Sequence, residues 1–131
     1  MYEVRYFAPD EFRCRCGCGG AVVSSLLVVT LDALRTAWGR PIRVTSGRRC
    51  TVHNERVQGS PTSRHLCGAA ADIVSEYGDW HDFRELARAY FEREGWEFLP
   101  NMQRRYIHVA VPRKVPTSEY WDGGKIALSN P

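Results

Sequence analysis

The chain has 131 residues, 44% of them hydrophobic and 25% charged, with four tryptophans. That balance excludes disorder and fits one domain with one real core. Eighteen basic against fifteen acidic side chains leave a formal charge of +3, too slight a bias to point to nucleic acid.

The N-terminus, Met1 to Arg5, lacks the basic and apolar regions of a signal peptide. The expectation is synthesis in the cytoplasm, with release or carriage needed for any action outside. Residues 8–12 read as a short helical turn with Asp10 as its cap, and residues 13–20 as a glycine-rich loop crowded with Cys14, Cys16 and Cys18. The apolar run 21–29 is broken by Ser24 and Ser25 and is far too short to span a bilayer.

Residues 24–38 carry Leu27, Leu31, Leu34 and Trp38 at i, i+4, i+7 and i+11, one face of an amphipathic helix. Gly39 and Pro41 stop it. Residues 42–45 are a β-rich run entering the loop 46–49. Residues 69–74 read as a buried strand starting after Gly68. Residues 79–94 read as a second amphipathic helix with Asp79 as cap, Gly95 as stop, and Trp80, Phe83, Ala87, Tyr90 and Phe91 as its core face. Residues 96–99 and 106–111 read as the two strands of a hairpin. The tail 113–131, with Pro, Gly and Ser, reads as a surface wrap. The sum is a single α+β domain over 1–131, a small, mostly antiparallel sheet packed with two main helices.

Against that frame, three residues stand out. His65 and Asp72 lie seven apart around Gly68 and three alanines, and His108 sits inside the strand-like run 106–111. Two imidazoles and a carboxylate are a three-ligand set for Zn2+, leaving a fourth position open as catalytic sites do. With neutral imidazoles and one carboxylate the centre keeps a net positive charge, which polarises a carbonyl and lowers the pKa of bound water. The plain reading is that a strand histidine is more often a satisfied core residue than a ligand.

Read together, Ser46-Gly-Arg-Arg49, His53-Asn54, Gly59, the pattern Ser63-x-His65-x-x-Gly68-x-Ala70-x-Asp72, and Ile107-His108-Val109 resemble the zinc D-Ala-D-Ala carboxypeptidase family. That family shares its fold with lysostaphin-type endopeptidases and the signalling domain of hedgehog. The opening Phe12-x-Cys-x-Cys-Gly-Cys-Gly19 is similar to its phage and bacterial members. The resemblance covers roughly residues 6–112. It implies a hedgehog-like zinc fold, Zn2+ held by His65, Asp72 and His108, and hydrolysis of a peptide bond in peptidoglycan stems. It places Arg49 where the family binds substrate carboxylate or carbonyl, a task suited to a planar guanidinium; on its own, Arg49 reads as a surface residue beside Arg48. Ser63 is expected to hydrogen-bond in the loop or to substrate, Asn54 to fix the loop, and His53 to be structural or exposed.

The pattern breaks at the general base that hydrolysis needs. Arg105 stands three before His108 and Ala110 two after it, where relatives carry acids, and the position further upstream falls near Met102 and Gln103. The nearest carboxylate on the preceding strand is Glu97, which a tight hairpin brings toward the metal face; its plain reading is a solvated strand residue. Tyr106 shares a strand face with His108 and is placed to donate to an oxyanion. Cys14, Cys16, Cys18 and Cys50 offer two readings, a second, structural zinc site or a disulfide tying the N-terminal loop to Cys50. Cys67 reads as a packed apolar residue.

The function expected is a zinc-dependent peptidoglycan peptidase acting on stem peptides, either a D-Ala-D-Ala carboxypeptidase or a stem or cross-bridge endopeptidase. Such a protein works in phage lysis or on a virion, with virion proteins as further partners. The alternative is a catalytically weak or inactive zinc module of the same fold, serving a binding or structural role. A third reading is a cysteine-rich zinc-binding interaction domain.

Overall fold

Ser24 starts the first long helix. Its hydroxyl accepts from the Leu27 N–H at 3.4 Å, capping α1 (Ser25–Trp38), and Gly39 ends the helix in the left-handed conformation at φ 73°. In this computed structural model, which describes residues 1–115 and 119–127, the other elements are β1 (Val23–Ser24), β2 (Arg43–Ser46), α2 (Thr51–Arg56), β3 (Ala70–Val74), α3 (Trp80–Tyr90), β4 (Glu97–Asn101), β5 (Tyr106–Ala110) and β6 (Tyr120–Trp121). Short 3-10 turns occupy Pro9–Phe12, Arg64–Cys67 and Glu92–Glu94.

Four strands make one antiparallel sheet in the order β2-β3-β5-β4. The α+β class with a small antiparallel sheet and its helices is the one the sequence implies. Strand alternation splits the sheet into two faces. Val44, Ala71, Ile73, Ile107, Val109 and Phe98 turn one way, into a core shared with Leu27, Leu31 and Leu34 of α1 and Phe83 and Ala87 of α3. The opposite face carries a row straight across all four strands: Ser46, Asp72, His108 and Leu99. The hydrophobic core therefore fixes the register that brings Asp72 beside His108, because a one-residue slip of either strand would send its side chain to the opposite face of the sheet.

Several details depart from the sequence reading. Asp10 does not cap the first turn; it lies inside it and pairs with Arg13 at 2.5 Å, while the Glu11 carboxylate accepts from the Ala8 N–H at 2.8 Å. The second helix ends at Tyr90 rather than 94, and the chain continues through the Glu92–Glu94 turn to Gly95. The helix α2 has no counterpart in the expected elements. In the tail, β6 pairs with β1, Ile126 bridges to Tyr2, and Trp121 and Ile126 are buried in the core. Their indole and aliphatic side chains are too apolar to stay on a surface wrap when the α1 entry offers a place to bury them. Residues 116–118 and 128–131 of that tail lie outside the described residues.

Candidate metal centre

His65 stands on the 3-10 turn Arg64–Cys67. The Ser63 hydroxyl caps this turn by accepting from the His65 N–H at 3.2 Å, and Gly68 closes it at φ 71°. A side chain at Gly68 would also strike the Val22 carbonyl at 2.7 Å, so this position requires glycine twice over. The turn delivers a ring that is almost wholly buried. Its Nδ1 donates to the Gly47 carbonyl at 2.6 Å, which leaves the Nε2 lone pair aimed at Asp72 Oδ1, 3.2 Å away.

His108 reaches the same oxygen from the neighbouring strand, Nδ1 to Asp72 Oδ1 at 2.9 Å. One donor atom from each of His65, Asp72 and His108 thus falls within 4.8 Å of the others. Burial pushes the Asp72 carboxyl up, but the His108 and His65 rings that meet it outweigh this and hold the group well below the usual carboxylate range. The donor set fits a divalent cation. An imidazole lone pair and a carboxylate oxygen facing each other at 3.2 Å repel unless a proton or a cation lies between them, and a second imidazole converges on the same point. Two nitrogens and one hard oxygen are a zinc-type combination.

The centre forms the floor of an open cleft of about 520 Å³. Arg49, on the loop after β2, lines it with only 15% of its side chain exposed. Its Nε donates to Ser46 Oγ at 3.1 Å, its Nη1 to Asn54 Oδ1 at 3.3 Å, and its Nη2 lies 3.5 Å from Asp72 Oδ2. The guanidinium has five N–H donors, so the two spent on Ser46 and Asn54 fix its plane while others remain for the cleft. Asn54, buried on α2, also donates to the Ser60 carbonyl at 2.9 Å. It ties Arg49 to the loop. Arg48, next in sequence, turns the other way to the Val22 carbonyl.

Glu97 comes to the cleft from β4. It sits opposite Ala110 in the register, on the same sheet face as His108. Its Oε1 lies 3.5 Å from His108 Nε2 and its Oε2 3.7 Å from Arg113 Nε. Oε2 is buried without a hydrogen-bond partner. The small side chain of Ala110 leaves the space that a carboxylate from the adjacent strand enters. Ser63 and Tyr106 also line the cleft. Of the residues singled out from sequence, His65, Asp72, His108, Arg49, Glu97, Tyr106 and Ser63 share this one cavity, and Cys14, Cys16, Cys18 and Cys50 form a separate cluster. Arg113 was not foreseen. It donates to the Thr62 carbonyl at 3.0 Å and closes one wall beside Glu97; a basic residue in a proline-flanked tail gives no sequence signal for that role.

No helix among the described residues is long and apolar enough to cross a membrane. No curated protein matches the chain. A family model described as Peptidase M15 matches residues 5–110, which include His65, Asp72, His108, Arg49 and Glu97 but not Arg113. The chain belongs to the Peptidase M15 family, that of the zinc-dependent D-Ala-D-Ala carboxypeptidases.

Proposed function

We propose that this chain is a zinc-dependent peptidoglycan peptidase. It cuts either the terminal D-Ala-D-Ala bond or an internal stem or cross-bridge bond, in phage lysis or from a virion. His65, Asp72 and His108 are the residues that hold the metal. When bound, zinc supplies Lewis-acid polarisation of the scissile carbonyl and a water acidic enough to attack at neutral pH. The observation that carries the reading is the convergence of this donor set on the floor of an open cleft whose walls hold a pre-oriented guanidinium and a carboxylate.

The chain's own groups divide the remaining work. The free edge of Arg49 holds a substrate carboxylate or carbonyl and sets the peptide against the floor; it is already oriented by Ser46 and Asn54, so little side-chain entropy is lost on binding. Glu97 takes a proton from the attacking water on a carboxylate oxygen and returns it to the departing amine. The Tyr106 phenol donates to the oxygen that gains charge as the carbonyl is attacked. Ser63 holds His65 through its capping hydrogen bond and borders the substrate path.

A second reading is a zinc-holding module of this fold with a binding or structural role. One observation favours it: Arg105 stands three before His108 and Ala110 two after it, and Glu97, the carboxylate beside His108 other than the ligand Asp72, is shared between His108 and Arg113. The two readings part on incubation of zinc-replete protein with purified peptidoglycan and mass analysis of the fragments. New amino and carboxyl ends support the peptidase. Intact stems, with protein retained on the wall, support the module.

A further inference from the structure

Away from the cleft, four cysteines meet. We propose that Cys14, Cys16, Cys18 and Cys50 form a second zinc site, a four-thiolate structural centre that clamps the N-terminal loop to the segment carrying Arg49.

All four sulfurs lie within 4.8 Å of one another, and all four cysteines are unpaired. Cys14 and Cys16 are 3.4 Å apart, Cys16 and Cys50 3.5 Å. Two sulfurs bonded to each other would be about 2.05 Å apart. Two sulfurs on one zinc tetrahedron, each at about 2.3 Å from the metal, are about 3.8 Å apart. The observed spacing is that of ligands gathered around a point. Two backbone N–H groups also aim at the sulfurs, Cys50 N at Cys14 Sγ and His53 N at Cys50 Sγ, both at 3.4 Å. Donors aimed at sulfur stabilise the thiolate form and orient the ligand, as outer partners do in metal sites. A soft four-sulfur set selects zinc among divalent ions that need no redox chemistry.

The cluster's position gives it a role. Cys14 to Cys18 belong to the loop after the first turn, and Cys50 caps α2, the helix that carries Asn54. Cys50 is also the immediate neighbour of Arg49. The same two segments already touch through Arg48 N–H donating to the Phe12 carbonyl at 2.9 Å, and a side chain on Gly47 would come within 2.6 Å of the Phe12 backbone. A metal there links residues more than thirty positions apart and fixes the Arg49 loop from its outer side. This role for Arg49 rests on the peptidase reading; the metal site does not.

The test is metal analysis of the whole chain purified with zinc and then freed of loose metal. Wild type is expected to hold about two zinc ions per chain, and His65→Ala and the double variant Cys16→Ser/Cys18→Ser about one each. Cobalt replacement gives an independent readout: a sulfur-to-cobalt charge-transfer band that persists in His65→Ala and disappears in the double variant. If the double variant fails to fold, the band in His65→Ala decides alone. One zinc in wild type with no such band overturns the proposal. So does a thiol titration of the protein, unfolded without reductant and with chelator, that finds fewer than its five cysteines free. Absence of peptidoglycan cleavage alongside two bound zinc ions would sink the peptidase reading and leave this site standing.

Discussion

Glu97 Oε1 lies 3.5 Å from His108 Nε2, brought there from the strand position opposite Ala110. A carboxylate so placed has two distinct jobs available. It can carry the catalytic proton, or it can orient His108 through the nitrogen that faces away from Asp72. Glu97→Gln separates them, because the amide still accepts a hydrogen bond but takes no proton. With Glu97 as the base, the variant keeps its zinc and loses about 10²- to 10⁴-fold in kcat. With Glu97 only as an orienting partner, the amide keeps the contact to His108 and both zinc affinity and turnover change little, whereas Glu97→Ala lowers zinc affinity about 10- to 100-fold. Chelator competition and steady-state kinetics on one preparation read both quantities.

Arg49→Lys keeps the charge but loses the fork that spans Ser46, Asn54 and the cleft. kcat/KM should fall about 10- to 100-fold on a stem-peptide substrate, or roughly 1.4–2.8 kcal/mol of transition-state binding. Unchanged kcat/KM would remove Arg49 from the substrate path.

Much of this centre is legible in the sequence. Leu27, Leu31 and Leu34 repeat with a helical period and are fully buried on α1, and the runs around Asp72 and His108 are apolar enough to be read as strands. What escaped has local causes. Helix α2 is six residues long, carries no apolar stripe, and is capped by a cysteine sulfur rather than an oxygen. Trp121 and Ile126 sit in a segment whose Pro, Gly and Ser content speaks for a surface, and pairing with β1 for the one and with Tyr2 for the other draws them inward. Glu97 was recognisable as the nearest carboxylate, but its arrival beside His108 depends on hairpin register, which in turn depends on a turn with Arg105 at φ 58°. Non-glycine residues rarely take that conformation, and sequence does not announce it.

Ser63→Ala removes the hydroxyl that caps the turn bearing His65. The expected loss is about 1 kcal/mol in urea unfolding, with weaker zinc retention, and Ser63→Thr should restore both. Full zinc affinity in the alanine variant would show that Gly47 alone holds the ring.

Far from the cleft, the Tyr2 hydroxyl donates to Asp32, a fully buried carboxylate that also accepts from the Tyr6 N–H at 2.9 Å. Burial, then the hydrogen bond and charge of Asp32, push the Tyr2 phenol up from 10.0 to about 12. Because the folded value is the raised one, its stabilisation is complete below pH 10 and lost as pH rises through about 12. Urea unfolding of wild type should therefore weaken more steeply between pH 10 and 12 than that of Tyr2→Phe. Parallel pH profiles would contradict the assignment.

On the proposed function, a metal held by His65, Asp72 and His108 drives peptide hydrolysis. The decisive measurement strips the protein with chelator, restores zinc stepwise, and counts new termini released from purified peptidoglycan by mass spectrometry. The stripped protein should cleave nothing, added zinc should restore cleavage, and His108→Ala should not recover. Cleavage that survives stripping, or that zinc restores equally in His108→Ala, would contradict it.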